Sequence, residues 1–270
     1  MPVSTSTEDL TAFTATHAQW HDEVEARRKA PYGPLSPTAL EWLTPEPTRF
    51  EGVPGRWRAE ADGTVTVTVD SDEFLELAGT PVVGTARIGP LTGIASVTLS
   101  SGDLRVEVAA RGDAIALRPR HPQAPGRLEY AGTATFPPST SWVVHARFVP
   151  AARAAVTVET VVEGIAQQYE SPGVAEFDID GRPLRLTLFP GQQPGSLRAL
   201  FADATGVDRT FPAARSVEVL RTGEDSLVID FNRATNPPCA YSVHATCPLP
   251  PAENRLPVRI EAGELRPNSR

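Results

Sequence analysis

Thr64-Val-Thr-Val-Thr-Val-Asp70 alternates β-branched apolar and polar residues, and the pair Asp62-Gly63 stands directly before it. A period of two puts Val65, Val67 and Val69 on one face of a strand, and Asp-Gly accepts the positive φ of a tight hairpin. Residues 56–70 are therefore predicted to be two antiparallel strands. Similar short runs recur at 94–99, 104–109, 114–118, 127–136, 142–148, 155–163, 175–179, 184–189, 197–202, 216–220 and 226–231. Ser101-Gly-Asp103, Gly112-Asp113 and Asp180-Gly181 punctuate them, and no helical pattern intervenes. Such a chain is mainly β, an antiparallel β-sandwich or barrel-like sheet. Arg111-Gly-Asp113 spells a cell-adhesion tripeptide, but its place between two runs makes it a hairpin turn.

The first 30 residues depart from this pattern. Thr5-x-x-Glu8 has the form of a capping box, and Leu10, Phe13, Trp20 and Val24 keep helical spacing to about Lys29. His17, His21 and Glu25 share one face of that helix. The metalloprotease pattern needs a Glu directly after its first His, where Ala18 stands, so a solvated face is expected and no metal. In Pro31–Leu43, Ser36 reads as a helix cap before Pro37, giving one or two short turns, with Trp42 and Leu43 as core anchors. The chain then divides into a tail and helix over 1–30 and a single β-rich domain over 31–265.

A net charge of −8 over 270 residues argues against nucleic-acid and anionic-membrane partners. The amino end has no basic region followed by an apolar run, and no stretch reaches membrane-spanning length, so a cytoplasmic protein is expected. No motif names a cofactor or an oligomeric state.

Polar, thiol and proline residues concentrate in Asp230–Tyr241, Cys247–Leu256 and Ala262-Gly-Glu264. Five prolines there lack an amide donor, so side chains must satisfy much of the backbone. If Leu227-Val-Ile229 ends a strand, Asp230 and Asn232 point one way and Phe231 and Arg233 the other. A hairpin about 221–225 sets Arg215 opposite a residue near Phe231, which brings Arg215 and Asp230 to one end beside the proline-rich carboxy-terminal loop. Asp203 and Thr205 either form a turn around Gly206, with Arg215 on a carboxylate, or line a pocket in which Arg215 offers its planar fork to an anion. With Asn236, Cys239, Tyr241, Asn254 and Arg255 these residues make two readings. One is a small-molecule site, for an anionic ligand among others and open to enzymatic use; the other is a non-catalytic clasp or interaction module.

Cys239 and Cys247 would stand roughly 26 Å apart at about 3.3 Å per residue if Ala240–Thr246 were extended, beyond disulfide reach. Free thiols are expected. Zinc on Cys239, His244 and Cys247 lacks a fourth ligand, and a Cys-His nucleophile pair has no supporting motif. Pro248-Leu-Pro-Pro251 reads as an extended strap leading into a strand over 256–260, and Leu265–Arg270 as a frayed tail.

These words resemble the signature of a bacterial and archaeal family known only as domain of unknown function 1684. The likeness includes Gly33 with Leu35-Ser36 before Trp42-Leu43, Phe136-Pro-Pro138 before Trp142, and Ala146-Arg-Phe-Val-Pro150, so it spans the chain after about residue 30. In the word from Phe201 to Arg215, Phe211 stands where the family is expected to carry a tyrosine, and the phenol is missing. The family label implies no reaction.

Overall fold

The computed structural model describes residues 7–267. Thr5, and with it the expected capping box, lies outside the described residues. Helix α1 runs Thr7–Arg28, with Glu8 and Asp9 in its first turn and Arg27 and Arg28 in its last, the arrangement that opposes the helix dipole.

Strands β1 (Glu41–Leu43), β2 (Arg56–Ala59), β3 (Val65–Thr68), β4 (Glu76–Leu77), β5 (Thr80–Pro81), β6 (Thr85–Ile88), β7 (Ser96–Ser101), β8 (Leu104–Arg111) and β9 (Ala114–Arg120) form two antiparallel sheets. Their orders are β1-β9-β8-β7-β4-β5 and β2-β3-β6. The two sheets share one core, in which Trp57, Val65 and Val67 meet Leu99, Val106, Val108 and Leu117. The hairpin sits where Asp62-Gly63 predicts it. Gly63 has φ 83°, and a Cβ there would stand 2.3 Å from the Leu91 carbonyl oxygen, so only glycine fits. Val65, Val67 and Val69 are all buried. Gly112-Asp113 turns β8 into β9.

Two local expectations are corrected. Residues 31–40 form turns and a bridge rather than a helix: the Ser36 hydroxyl donates to Gly33 O at 2.7 Å, and Thr38 N–H donates to Pro119 O at 2.9 Å. The open edge of β9 offers that backbone a ladder, and β1 pairs along it. Leu43 is buried and Trp42 half-buried. The run 127–136 is no strand either. Pro125 opens a one-turn helix, α2 (Pro125–Leu128), and the chain continues irregularly.

Strands β10 (Val143–Glu159), β11 (Ala166–Ile179), β12 (Arg182–Pro190), β13 (Leu197–Asp203), β14 (Arg215–Arg221) and β15 (Ser226–Asp230) each pair with the next, and β15 returns to β10. The result is a closed six-stranded up-and-down barrel. Alternate residues fill it, among them Phe177, Leu186, Leu188, Phe201, Val219 and Ile229. Phe231, just past β15, plugs one end, its ring 5.4 Å from Phe201 and 6.0 Å from Phe177. Beyond it the chain straps the outside: Leu249 N–H donates to Glu159 O at 2.7 Å, and β16 (Arg255–Leu256) lies parallel to β13. The strand expected over 256–260 stops there because Pro257 cannot donate. Among the described residues, no helix is long and apolar enough to cross a membrane.

Candidate functional site

The polar residues singled out in the sequence fall into separate groups. Asp203 ends β13 and caps the next turn, its carboxylate accepting Thr205 N–H at 3.1 Å, the Thr205 hydroxyl at 2.7 Å and Ile260 N–H at 2.8 Å. Arg215 pairs with Asp203 at 2.7 Å, donates to the carbonyls of Ala262 and Ile260, and lies over the Phe201 ring. The expected meeting of Arg215 with Asp230 does not occur. The register of β14 and β15 runs Val219 to Ile229 and Arg221 to Leu227 and is not continued as far as Arg215, which faces β13 instead.

Asp230 caps a 3-10 turn over Phe231–Arg233, so the chain is helical where an extended strand end was expected. The turn puts Arg233 beside Asp230, 3.3 Å away, instead of on the opposite face. Asn232 is buried, exchanges hydrogen bonds with the Ser139 backbone at 2.9 Å, and through its own carbonyl accepts the Nε2–H of His17 at 2.9 Å.

Asn254 is fully buried between β12 and β13. These strands share only the pairs Phe189–Arg198 and Pro190–Leu197, and continuing that register would set Thr187 opposite Leu200. The Asn254 side chain occupies that rung, accepting Thr187 N–H at 2.7 Å and donating to Thr187 O at 2.9 Å and Leu200 O at 2.7 Å. One amide thus stands in for a missing ladder step. Arg255 follows it, exposed, on β16.

The thiols are a further correction. Pro238–Ala240 forms a 3-10 turn and Tyr241 and Ser242 N–H both donate to Pro238 O, so residues 240–246 double back instead of extending. Cys239 N–H reaches Cys247 Sγ at 3.2 Å, and both cysteines are free.

The solvated face expected on α1 is in fact packed against the rest of the chain. His17 and Arg28 are buried, and His21 and Glu25 half-buried. Glu264 lies opposite them, fully buried. It is aimed there by Gly263, whose φ is 76° and whose absent Cβ would stand 2.6 Å from Ala234 O. One Glu264 oxygen accepts Arg28 Nη2 at 2.7 Å, and the other accepts Asn236 N–H at 2.7 Å and the Tyr241 hydroxyl at 3.2 Å. The Arg28 guanidinium also bonds Glu25 and lies 4.6 Å over the Tyr241 ring. Tyr130 donates to Glu25 at 2.7 Å, and Thr133 joins the phenols of Tyr130 and Tyr241 at 2.6 and 2.9 Å. Hydroxyls thus link the half-buried carboxylate of Glu25 to the buried one of Glu264. Burial pushes the Tyr130 phenol up to about 12 and Tyr241 further still, so both stay protonated.

This network borders an open cavity of about 520 Å³. Tyr130, Tyr241, Leu35, Phe211 and Pro212 line it with Ala240, Glu129 and Arg266. Phe211, where a tyrosine was expected, is part of its wall. Of the sequence-named candidates only Tyr241 lies on this wall, and Asn236 stands one hydrogen bond behind it, at 3.3 Å. Tyr130, Thr133, Arg28, Glu25 and Glu264 were not named as site residues, because contacts spanning more than 100 residues leave no local motif. The stripe His21, Glu25, Arg28 at i, i+4 and i+7 is the one signal present in the sequence. His21, Glu25 and Glu264 are also the one group among the described residues whose ligating atoms converge, within 4.8 Å. Arg28 already bridges the two carboxylates there, so a guanidinium supplies their counter-charge.

The family model of proteins of unknown function, DUF1684, matches residues 128–265, the barrel with its strap and the Tyr130–Glu264 network. No curated protein matches the chain at a significant level. Among solved structures, the solution NMR structure of the uncharacterized protein from gene locus rrnAC0354 of Haloarcula marismortui is 26% identical, over 53% of this chain and 81% of that one, with a TM-score of 0.45. With half of its length matched by the family model, the chain belongs to the DUF1684 family.

Proposed function

We propose that the protein binds a small organic molecule in the cavity beside Tyr130 and Tyr241. The observation that carries this reading is that both phenols line an open cavity while their hydroxyls are held by Glu25, Thr133 and Glu264. A volume of about 520 Å³ suits a metabolite-sized ligand. Leu35, Phe211 and Pro212 offer it an apolar seat, and the ordered phenols, Glu129 and Arg266 offer polar contacts. Asp203, Arg215, Asn232 and Asn254 serve differently. Their polar groups are turned on one another and on backbone, which supports the clasp for that half of the signature. Unjoined thiols fit a reducing compartment, and we place the activity in the cytoplasm.

The test is a metabolite screen by thermal shift on the wild-type protein and on Ala240→Trp, which fills the cavity. Compounds that stabilise the wild type and lose their effect in Ala240→Trp, with the ligand-free melting temperature retained, are expected. A screen whose every hit is indifferent to the substitution overturns the reading.

A further inference from the structure

A second cavity, of about 330 Å³, opens where the loop 238–248 closes over β8, β9 and the barrel. Arg111, Arg118 and Arg198 line it together with Tyr169, Ile94 and Cys247. Four strands and two loops bring these together, so nothing in the sequence order groups them.

The charge around this cavity is unbalanced. Glu107 accepts Arg118 at 2.8 Å and Arg120 at 2.8 Å, and lies 3.6 Å from Arg111. Three guanidiniums thus share one carboxylate. Arg198, on β13, adds a fourth positive charge, and the carboxylate across the ladder from it is Glu218. Four cations therefore stand against two anions, in a chain whose overall charge is −8. The buried Nε–H of Arg198 also has no hydrogen-bond partner among the described residues. An unsatisfied buried donor is costly, and a guanidinium fork matches the oxygens of a phosphate or carboxylate.

Two neighbours register the same excess. Burial, and after it the charge of Arg118, pulls Arg111 below the ordinary guanidinium range. The Cys247 thiol is lowered first by its hydrogen bond with Cys239, with Arg118 and Arg111 adding to the effect.

We propose that this cavity binds a small organic oxyanion, its phosphate or carboxylate group held by Arg111, Arg118 and Arg198 and its carbon body against Ile94 and Tyr169. The site is separate from the Tyr130–Tyr241 cavity and does not depend on the function proposed for it. The anion would complete the charge of the cluster.

Inorganic phosphate and citrate, each compared with chloride at equal ionic strength, are the probes. The melting temperature of the full chain is expected to rise with one of them beyond the chloride control, and which one responds tells phosphate from carboxylate chemistry. Arg198→Gln should weaken the apparent affinity about tenfold or more, the weight of one charge-assisted hydrogen bond. Arg147→Gln, which removes an exposed pair with Glu176, should leave it unchanged. No rise with either probe, or an equal rise in Arg198→Gln, overturns the proposal. Should Arg198→Gln fail to fold, alkylation of Cys247 in Cys239→Ser gives a local readout at fixed pH. The responding anion is expected to slow that reaction, and an unchanged rate overturns the site.

Discussion

The carboxylate of Asp203 and the guanidinium of Arg215 lie 2.7 Å apart, and each side chain is 1% exposed. A pair this buried stabilises little by existing but leaves a naked charge when broken. Asp203→Ala and Arg215→Ala are each expected to lower unfolding stability by roughly 3–5 kcal/mol in urea titrations. Asp230→Ala, which removes a turn cap, one bond from the Asn232 amide at 2.8 Å and a partly exposed pair, should cost about 0.5–2 kcal/mol. Equal losses at Asp203 and Asp230 would contradict the assignment of Arg215 to Asp203.

Asn254 is predicted to be among the most sensitive strap positions. Its truncation to Ala orphans Thr187 N–H, Thr187 O and Leu200 O between β12 and β13, and each buried orphan is worth about 1–3 kcal/mol. A loss of roughly 3 kcal/mol or more is expected. Asn254→Asp should do no better, since it sets a carboxylate against two carbonyls. Near-native stability in either variant would show that the barrel closes without this rung.

Acid should unfold the first sheet through Glu107. Burial alone would raise its carboxyl, but the hydrogen bonds and charges of Arg118 and Arg120 outweigh that and hold it at about 2, against an ordinary 4.5. A depressed folded value contributes stability that is full above the ordinary value and is lost as pH falls from about 4.5 towards 2. The contribution at neutral pH is on the order of 3 kcal/mol. Glu107→Gln should flatten the pH dependence of the urea midpoint in that window, and an unaltered slope would remove Glu107 as its source.

Glu264→Gln keeps an acceptor for Asn236 N–H and Tyr241 but loses the charge that faces Arg28. The expected result is loosening of α1 more than of the barrel. Amide hydrogen exchange over residues 17–28 should accelerate roughly thirtyfold, equivalent to about 2 kcal/mol of local opening, with the barrel strands little changed. Uniform acceleration throughout would mean that the pair supports global stability instead.

Period and turn chemistry alone determined that this protein is mainly antiparallel β with one N-terminal helix. Alternating Val65, Val67 and Val69 after Asp62-Gly63, and the evenly spaced runs that follow, specify antiparallel strands because side-chain direction repeats every two residues whatever the tertiary context. The helix over 7–28 was legible for the same local reason. Misreadings arose where tertiary partners override local preference: the edge of β9 drew residues 31–43 into turns and β1, and Pro238 turned the run from Cys239 to Cys247 back on itself. The sites were decided only in three dimensions. Arg215 takes Asp203 rather than Asp230 because closure of the barrel turns β14 towards β13 at that end. Glu25, Arg28, Tyr130, Tyr241 and Glu264 converge because α1 docks on the strap, and Arg111, Arg118 and Arg198 because a loop bridges two sheets. Electrostatic and hydrogen-bond energies depend on distance in space, and chain order carries no record of that distance.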